Sequence, residues 1–165
     1  MDLDQLAERL RERFEDVVAA RGEATVTVGP DALLGALRML RDEPELSFGF
    51  LSDVSATDWP GRVPRVWLAY HLYSFEHNHR VRAKVGLPED RLLAPSVTSV
   101  FPAADWLERE VYDMYGVEFE GHPDLRRILM PEDWVGYPLR KDHPLGGVAT
   151  QYKGAFVPPP DQRGL

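Results

Sequence analysis

The sequence predicts an α+β fold: a two-layer domain with a mixed, largely antiparallel sheet packed on helices, followed by a long irregular C-terminal tail. Three observations support this prediction. The helix-like and strand-like segments do not alternate as a repeating strand–helix–strand pattern, two neighbouring strand segments are joined by a very short connection, and regular periodicity is lost after residue 120. We therefore expect a compact domain over residues 1–120 and an extended, partner-binding tail over residues 121–165.

Two amphipathic helices are predicted in the N-terminal part of the chain. In residues 2–20, apolar side chains recur at intervals of three or four residues with Glu and Arg between them, and Gly22 can end this helix. A second helix is predicted to start at Gly29–Asp31 and to stop before Pro44.

Strand-like segments occupy the middle of the chain. The predicted strands are Thr25–Val28, Phe48–Thr57, Val66–Tyr73, His79–Val85 and Ser96–Val100. Val66–Tyr73 is apolar on both faces, so we expect it near the centre of the sheet. His79–Val85 alternates strictly and places Arg80, Arg82 and Lys84 on one face, which suits either a solvated strand face or an acidic partner. The short connection between these two segments predicts an antiparallel hairpin.

A third helix is predicted to begin at Pro102, to run to about Tyr115 and to end at Gly116. Residues 103–121, which include it, hold six acidic residues against a single Arg. This local excess of negative charge indicates a docking feature. The segment after residue 121 is rich in Pro and Gly yet keeps aromatic and aliphatic residues, which disordered linkers normally lack, so we expect it to lie along another protein surface.

Composition limits the possible functions. The chain has no cysteine, which excludes disulfides, cysteine nucleophiles, thiolate zinc sites and cysteine-ligated iron–sulfur clusters within it. The net charge of −8 argues against a nucleic-acid binder. No signal peptide is recognised, and the longest apolar run, Val66–Tyr70, is far shorter than the roughly 20 residues of a membrane span. We expect membrane association only through a partner.

Signatures of catalytic sites are sparse. His77 and His79 are two residues apart near a predicted hairpin turn and could reach a common metal ion, but no third ligand stands at a recognisable spacing. Glu108 and Glu110 are also two residues apart, which on a helix separates them by about 200° and prevents them from acting as an acid–base pair.

The most specific pattern lies in residues 105–144. It reads Glu108-Arg109-Glu110, then Asp113, His122 and Arg126, each at a fixed spacing, with aromatic or aliphatic pairs between and after them. A second block contains Trp134, Gly136 and the run Pro138–Asp142. This stretch resembles the 30 kDa subunit family of respiratory complex I, which includes the bacterial NADH:quinone oxidoreductase subunit that is designated C. Leu51–Asp53 and Asp58-Trp59 resemble the second strand of that family, whereas His143 departs from it, because Phe or Tyr usually precedes the proline.

The resemblance implies a scaffold subunit of the peripheral arm of a proton-pumping NADH:quinone oxidoreductase. It implies no catalytic residue, cofactor or metal in this chain; FMN, iron–sulfur clusters and quinone would be held or used by other subunits. The expected partners are the quinone-site large subunit and the cluster-bearing subunits, at the cytoplasmic face of the cell membrane. The residues expected at the partner interface are Glu108, Arg109, Glu110, Asp113, His122, Arg126, Arg127, Trp134, Tyr137, Arg140, Lys141 and Asp142.

Chemistry suggests how some of these residues would act. The four arginines suit two-pronged contacts to partner carboxylates, and Trp134 and Tyr137 suit anchoring in apolar pockets. Two alternatives stay open at this point. One is the equivalent subunit of a related membrane-bound hydrogenase, formate hydrogenlyase or F420-dependent dehydrogenase, and the other is a free-standing metal-dependent enzyme that uses His77 and His79.

Overall fold

The computed structural model describes residues 2–144, 150–152 and 155–157. The α+β prediction is confirmed: a five-stranded mixed sheet packs against helices. The helices are α1 (Leu3–Arg11), α2 (Leu33–Asp42, after a 3-10 turn at Pro30–Ala32) and α3 (Ala104–Tyr115). The strands are β1 (Asp16–Ala20), β2 (Glu23–Val28), β3 (Phe50–Asp58), β4 (Val66–Ser74), β5 (His79–Leu87), β6 (Leu93–Pro95), β7 (Glu118–Glu120), β8 (Thr150–Tyr152) and β9 (Ala155–Val157).

The main sheet has the order β1-β2-β5-β4-β3, and only the β2–β5 pair is parallel. The predicted antiparallel hairpin of β4 and β5 is confirmed. β5 takes the central position and β4 lies between it and β3, so the segment expected near the centre is interior. One face of β4 is fully buried against the helices, and the other face, which includes Trp67 and His71, is half-buried.

The helix predicted for residues 2–20 is wrong in its second half. α1 ends at Arg11, and β1 then pairs with β2 in a hairpin. The turn residues Arg21 and Gly22 both have positive φ, 55° and 79°, as a two-residue type I′ turn requires. The β-branched Val17 and Val18 also suit a strand better than a helix. The hairpin turn, rather than the helical spacing, decides the structure there.

The strand predicted at Ser96–Val100 is also wrong. The strand in this region is β6, which ends at Pro95 and pairs in parallel with β7 in a separate two-stranded sheet. The backbone amide of Val97 donates to the Glu108 carboxylate instead of to a strand, and the amides of Val100 and Phe101 both donate to the carbonyl of Val97. A side chain on α3 therefore diverts this segment into a turn.

The start of the tail is attached to the domain itself. α3 ends at Gly116 as predicted, with Gly116 in the left-handed conformation (φ 71°). Residues 121–144, which we call the strap, contain no helix or strand but hydrogen-bond back to α3 and to the β3–β4 loop region. The strap is thus ordered on this chain, where the sequence suggested order only on a partner. β8 and β9 pair as a short antiparallel ladder, and the rest of the predicted tail lies outside the described residues.

The hydrophobic core lies between the helices and one face of the main sheet. Its largest side chains include Leu6, Leu37, Phe48, Leu68 and Tyr70, all fully buried. Across the residues that the structure describes, every helix is too short or too polar to cross a lipid bilayer.

Candidate partner-docking site

Residues of the stretch 105–144 come together where the strap crosses α3. Asp113, on the last turn of α3, has a fully buried side chain. Its Oδ2 accepts the amides of Ile128, Leu129 and Met130 at 3.0, 2.8 and 2.8 Å, and its Oδ1 lies 2.5 Å from Nη1 of Arg127. One carboxylate therefore satisfies three consecutive backbone donors of an irregular segment that has no ladder of its own.

Burial and hydrogen bonding act on this carboxylate in opposite directions. Burial raises the pKa of Asp113, but the amide of Met130, the Arg127 guanidinium and the amides of Leu129 and Ile128 outweigh it. The net pKa lies below the usual value of an aspartate, so the group is a buried anion at neutral pH.

Tyr137 packs at the C-terminus of α3. Its ring is contacted by the guanidinium groups of Arg127 and Arg140, whose central carbons are 5.5 and 4.6 Å from the ring centroid. Arg127 also donates to the carbonyl of Gly136 at 3.0 Å, and Arg140 donates to the carbonyl of Tyr115 at 2.6 Å. A Cβ on Gly116 would lie 2.5 Å from this ring, so both the positive φ and the close approach require glycine there.

Glu108, on the second turn of α3, links the helix to the turn after β6. It is fully buried and accepts the Ser96 hydroxyl and the Val97 amide, both at 2.7 Å. The His122 ring, whose side chain is also fully buried, places Nε2 3.9 Å from this carboxylate and 3.1 Å from the carbonyl of Asp105. Burial raises the pKa of Glu108, and the hydrogen bonds from Val97 and Ser96 offset this only in part.

A second ion-pair cluster ties down the far end of the strap. Arg65 makes a two-pronged contact with Asp58, at 2.8 and 3.1 Å, and donates to Asp142 at 2.7 Å and to Glu89. The Lys141 amide donates to the same Asp58 carboxylate at 2.8 Å. The Arg65 guanidinium, with help from the Lys141 amide, holds the pKa of Asp58 below its usual range against the effect of burial.

The interface predicted from sequence separates into two groups. Glu108, Asp113 and His122 have no exposed side-chain surface and make contacts within the chain, which leaves them unable to touch a partner in this fold. The remaining predicted residues keep exposed or half-exposed side chains: Arg109, Glu110, Arg126, Arg127, Trp134, Tyr137, Arg140, Lys141 and Asp142. The excess of acidic residues around α3 is accordingly less exposed than the sequence suggests.

Arg109 links α3 to the strap from outside. Its guanidinium donates to the carbonyls of Arg126 and Arg127 at 3.1 and 3.2 Å and lies 5.0 Å from the centroid of the exposed Trp106 ring. Arg126 itself points outward and pairs with Asp124. Glu110 is exposed while Glu108 is buried, as their angular separation on the helix predicts.

Sequence reasoning missed several residues of this region. Four large apolar side chains stay exposed on α3 and the strap: Trp106 (61%), Leu129 (60%), Val135 (89%) and Leu139 (48%). Their apolar character was visible in the sequence, but their exposure was not. Arg65 and Asp58 were missed as a clamp; the signal available was an acid at the end of one predicted strand and an arginine at the start of the next.

The histidine pair shows no metal geometry. The rings of His77 and His79 are stacked with centroids 5.4 Å apart, and Nε2 of His77 lies 2.9 Å from the carbonyl of Pro44. Within the described part of the chain, no cluster of three or more His, Cys, Asp or Glu side chains could hold a metal ion.

Known proteins resemble this chain over most of its length. The family model of the respiratory-chain NADH dehydrogenase 30 kDa subunit matches residues 26–149. The NADH-quinone oxidoreductase subunit designated C of Saccharopolyspora erythraea is 51% identical over 148 residues, 89% of this chain, and the chain spans only 59% of that relative's length. The corresponding protein of Mycolicibacterium gilvum is 46% identical over 167 residues, 98% of this chain and 74% of that one.

Solved structures agree with these relatives. A trypsin-resistant fragment of Nqo5 superposes with a TM-score of 0.63 at 28% identity, over 76% of this chain and all of the fragment. A chain of an archaeal membrane-bound sulfane sulfur reductase, a respiratory membrane complex, superposes with a TM-score of 0.68 at 26% identity, over 86% of this chain and 85% of that chain. The extent of the family match and the identity to its members mean that this chain belongs to the 30 kDa subunit family of respiratory-chain NADH dehydrogenase.

Proposed function

We propose that this chain is a scaffold subunit of the peripheral arm of a proton-pumping NADH:quinone oxidoreductase. It carries no redox cofactor and docks on the quinone-site large subunit next to the cluster-bearing subunits, at the cytoplasmic face of the cell membrane. FMN, iron–sulfur clusters and quinone belong to its neighbours. The chain supports electron transfer from NADH to quinone by positioning those subunits, and it supplies no catalytic group.

The observation that carries the proposal is the exposure of four large apolar side chains on α3 and the strap. Irregular segments normally expose polar side chains, yet Val135 and Leu129 point outward from a strap whose backbone is held firmly by Asp113. Large apolar side chains on a rigid support, flanked by arginines, are typical of the centre of a protein–protein interface. The strap therefore fits a docking surface that is ordered before the partner binds.

A charge placed on one of these apolar positions tests the proposal. Val135 and Val63 are matched valines, 89% and 93% exposed, but Val63 lies in the loop between β3 and β4. We expect Val135→Asp to reduce the quinone-site subunit that co-purifies with the chain at least five-fold, because binding would bury an unpaired carboxylate. Val63→Asp should leave recovery unchanged. Equal recovery with both variants would contradict docking through the strap.

A second candidate function has one observation in its favour. A chain of a complex other than NADH:quinone oxidoreductase, the archaeal membrane-bound sulfane sulfur reductase, is similar to this chain over 86% of this chain's length at 26% identity. The equivalent subunit of a related hydrogenase, formate hydrogenlyase or F420-dependent dehydrogenase therefore remains the alternative. The partners decide between them, because an NADH-binding subunit in the purified complex supports the first function and a nickel-binding large subunit supports the second.

A further inference from the structure

The face of the main sheet that points away from the helices carries a row of cations. Strand register places Arg80, Arg82 and Lys84 of β5 on this face, because the residues between them, Val81 and Ala83, are fully buried in the core. Neighbouring side chains in a strand that share a face are about 6.7 Å apart. The row thus places three cations at regular intervals along the central strand.

The two ends of this row lack carboxylate partners. Arg82 pairs with Glu23, whereas no carboxylate of the described residues lies within 4.0 Å of the Arg80 or Lys84 cations. Both rest instead on aromatic rings: Lys84 Nζ lies 4.5 Å from the centroid of Trp67, and Arg80 lies 5.9 Å from that of Tyr73. These rings hold the charged groups in place without neutralising them.

A pocket with aromatic and charged walls lies at the Arg80 end of the row. Phe50 and Phe75 are 45% and 72% exposed, their ring centroids are 5.3 Å apart, and Phe75 also packs edge-on against Tyr73. These aromatic residues line an open cavity of about 500 Å³ together with His71, Arg80 and two carboxylates, Glu23 and Asp53. Two exposed phenylalanines beside such a cavity offer a seat for one large apolar side chain.

We propose that this sheet face docks an acidic amphipathic helix of a partner subunit of the same complex. The two cations at the ends of the row, Arg80 and Lys84, lie about 13 Å apart along the strand. Carboxylates two helical turns apart, at i and i+8, are separated by about 12 Å, which matches this distance. An apolar side chain at the end of that helix would fill the pocket between Phe50 and Phe75. The inference rests on the proposed function and adds a second contact surface, distinct from the strap.

Charge around the row favours a protein over a polyanion. Register places Asp16, Glu23 and Asp53 on the same face in the flanking strands, so three carboxylates balance the three cations. A nucleic acid or an anionic lipid surface would meet these carboxylates as well as the cations, and the whole chain carries a net charge of −8. A partner helix can present its carboxylates only to the central stripe and avoid the edges.

Lysine chemistry gives a sharp test, because the chain has only three lysines, Lys84, Lys141 and Lys153. In the purified native complex, a zero-length carbodiimide reagent should join Lys84 to a Glu or Asp of a partner helix. Acylation of Lys84 should be at least ten-fold slower in the complex than in the isolated full-length chain. An unchanged acylation rate, or cross-links from Lys84 only to carboxylates of this chain, would overturn the inference.

The same experiment separates this inference from the proposed function. If Lys141 in the strap becomes protected in the complex and Lys84 does not, the strap docks and the sheet face does not. If the chain is absent from the oxidoreductase complex, both proposals fail together.

A charge-reversal pair provides the second readout. Arg80→Glu with Lys84→Glu should lower the salt concentration that releases half of the chain from the complex at least two-fold. The matched control, Arg38→Glu with Arg91→Glu, changes two other exposed arginines and should release like wild type. Docking of a protein helix would be contradicted if both double variants were released at the same salt concentration. It would also be contradicted if the isolated wild-type chain bound phosphatidylglycerol vesicles and Arg80→Glu with Lys84→Glu abolished this binding.

Discussion

Asp113 Oδ1 lies 2.5 Å from Arg127 Nη1, and this buried pair holds the strap on α3 while the second oxygen accepts three backbone amides. The link joins residues 14 positions apart that no regular element connects. This link explains why the pattern shared with the family places an acidic residue on the last turn of the helix and a basic residue in the segment that follows. Both residues therefore stabilise the fold of the strap.

Asp113→Asn should strongly destabilise the chain. The variant leaves Arg127 half-buried without its anion and turns an amide group toward backbone donors, so the free energy of unfolding should fall by about 3 kcal/mol. Urea unfolding at pH 7 measures this change. The Asp113 carboxylate contributes its full stabilisation above the pKa that it has in the unfolded chain, about 3.9. This stabilisation is lost as the pH falls through the lower pKa of Asp113 in the folded chain.

The control is Asp124→Asn, which breaks the exposed pair of Asp124 and Arg126. It should cost less than about 1 kcal/mol. Equal losses in the two variants would show that the Asp113 carboxylate does not anchor the strap.

Glu108 should make stability fall as the pH rises. Burial raises its folded pKa, so the folded chain keeps this proton to a higher pH than the unfolded chain does. Stability is then lost as the pH rises from the unfolded pKa of about 4.3 through the folded pKa. Glu108→Gln should therefore gain stability relative to wild type across that window, as measured by urea unfolding at a series of pH values.

Glu110→Gln is the matched substitution on the exposed side of the same helix. It should show no such relative gain with pH. A stability difference between Glu108→Gln and wild type that stays constant over the window would contradict a buried carboxyl that holds its proton.

Gly116→Ala should lower the free energy of unfolding by more than the positive φ at this position alone explains. A positive φ costs an alanine about 1 kcal/mol, and here the added Cβ would also meet the Tyr137 ring at 2.5 Å. We expect a total loss of about 2–3 kcal/mol in thermal or urea unfolding. Gly121→Ala has a similar positive φ with open space around it, and should lose only the backbone part.

Removal of the Tyr137 ring should abolish the additional loss of stability that Gly116→Ala shows over Gly121→Ala. In a Tyr137→Ala background, Gly116→Ala and Gly121→Ala should cost nearly the same. If the difference between them persists in that background, Tyr137 is not the obstacle.

Arg65→Met should release the end of the strap. The variant leaves Asp58 buried without its cation, which destabilises by about 3–5 kcal/mol, and frees Asp142. Hydrogen exchange at the Lys141 amide, which donates to Asp58, should accelerate more than the exchange of core amides in β4. Arg91→Met, at an exposed arginine of the loop after β5, should leave both unchanged. Uniform acceleration across the chain would indicate global loss of stability instead of local release of the strap.

Much of the fold could be predicted from the sequence, because local patterns determine it. Strict alternation identified β5, and the Gly116 signal placed the end of α3, which begins at Ala104, two residues after the start predicted from Pro102. The failures have a common cause. Residues 16–20 have helical spacing but belong to a hairpin whose turn needs two positive φ angles. Ser96–Val100 has the pattern of a strand, but the Val97 amide donates to the Glu108 carboxylate instead of to a neighbouring strand.

The candidate site was harder to predict for the same reason. Its residue types could be chosen from the spacing, but burial decides which of them can meet a partner. Asp113 and Glu108 are charged helix residues of a kind that normally faces solvent. Here the strap covers Asp113 and the turn after β6 covers Glu108, so both side chains are buried. The Arg65 cluster joins residues 77 positions apart, a separation at which sequence alone offers no pairing signal.

We propose that this chain works as a docked subunit of an NADH:quinone oxidoreductase. Affinity purification of the full chain from its native membrane, followed by mass spectrometry of the bound proteins, tests it most directly. We expect to recover the quinone-site large subunit, a cluster-bearing neighbour and an NADH-binding subunit in equal proportion to the chain. Recovery of the chain alone, or with a nickel-binding large subunit in place of the NADH-binding one, would contradict it.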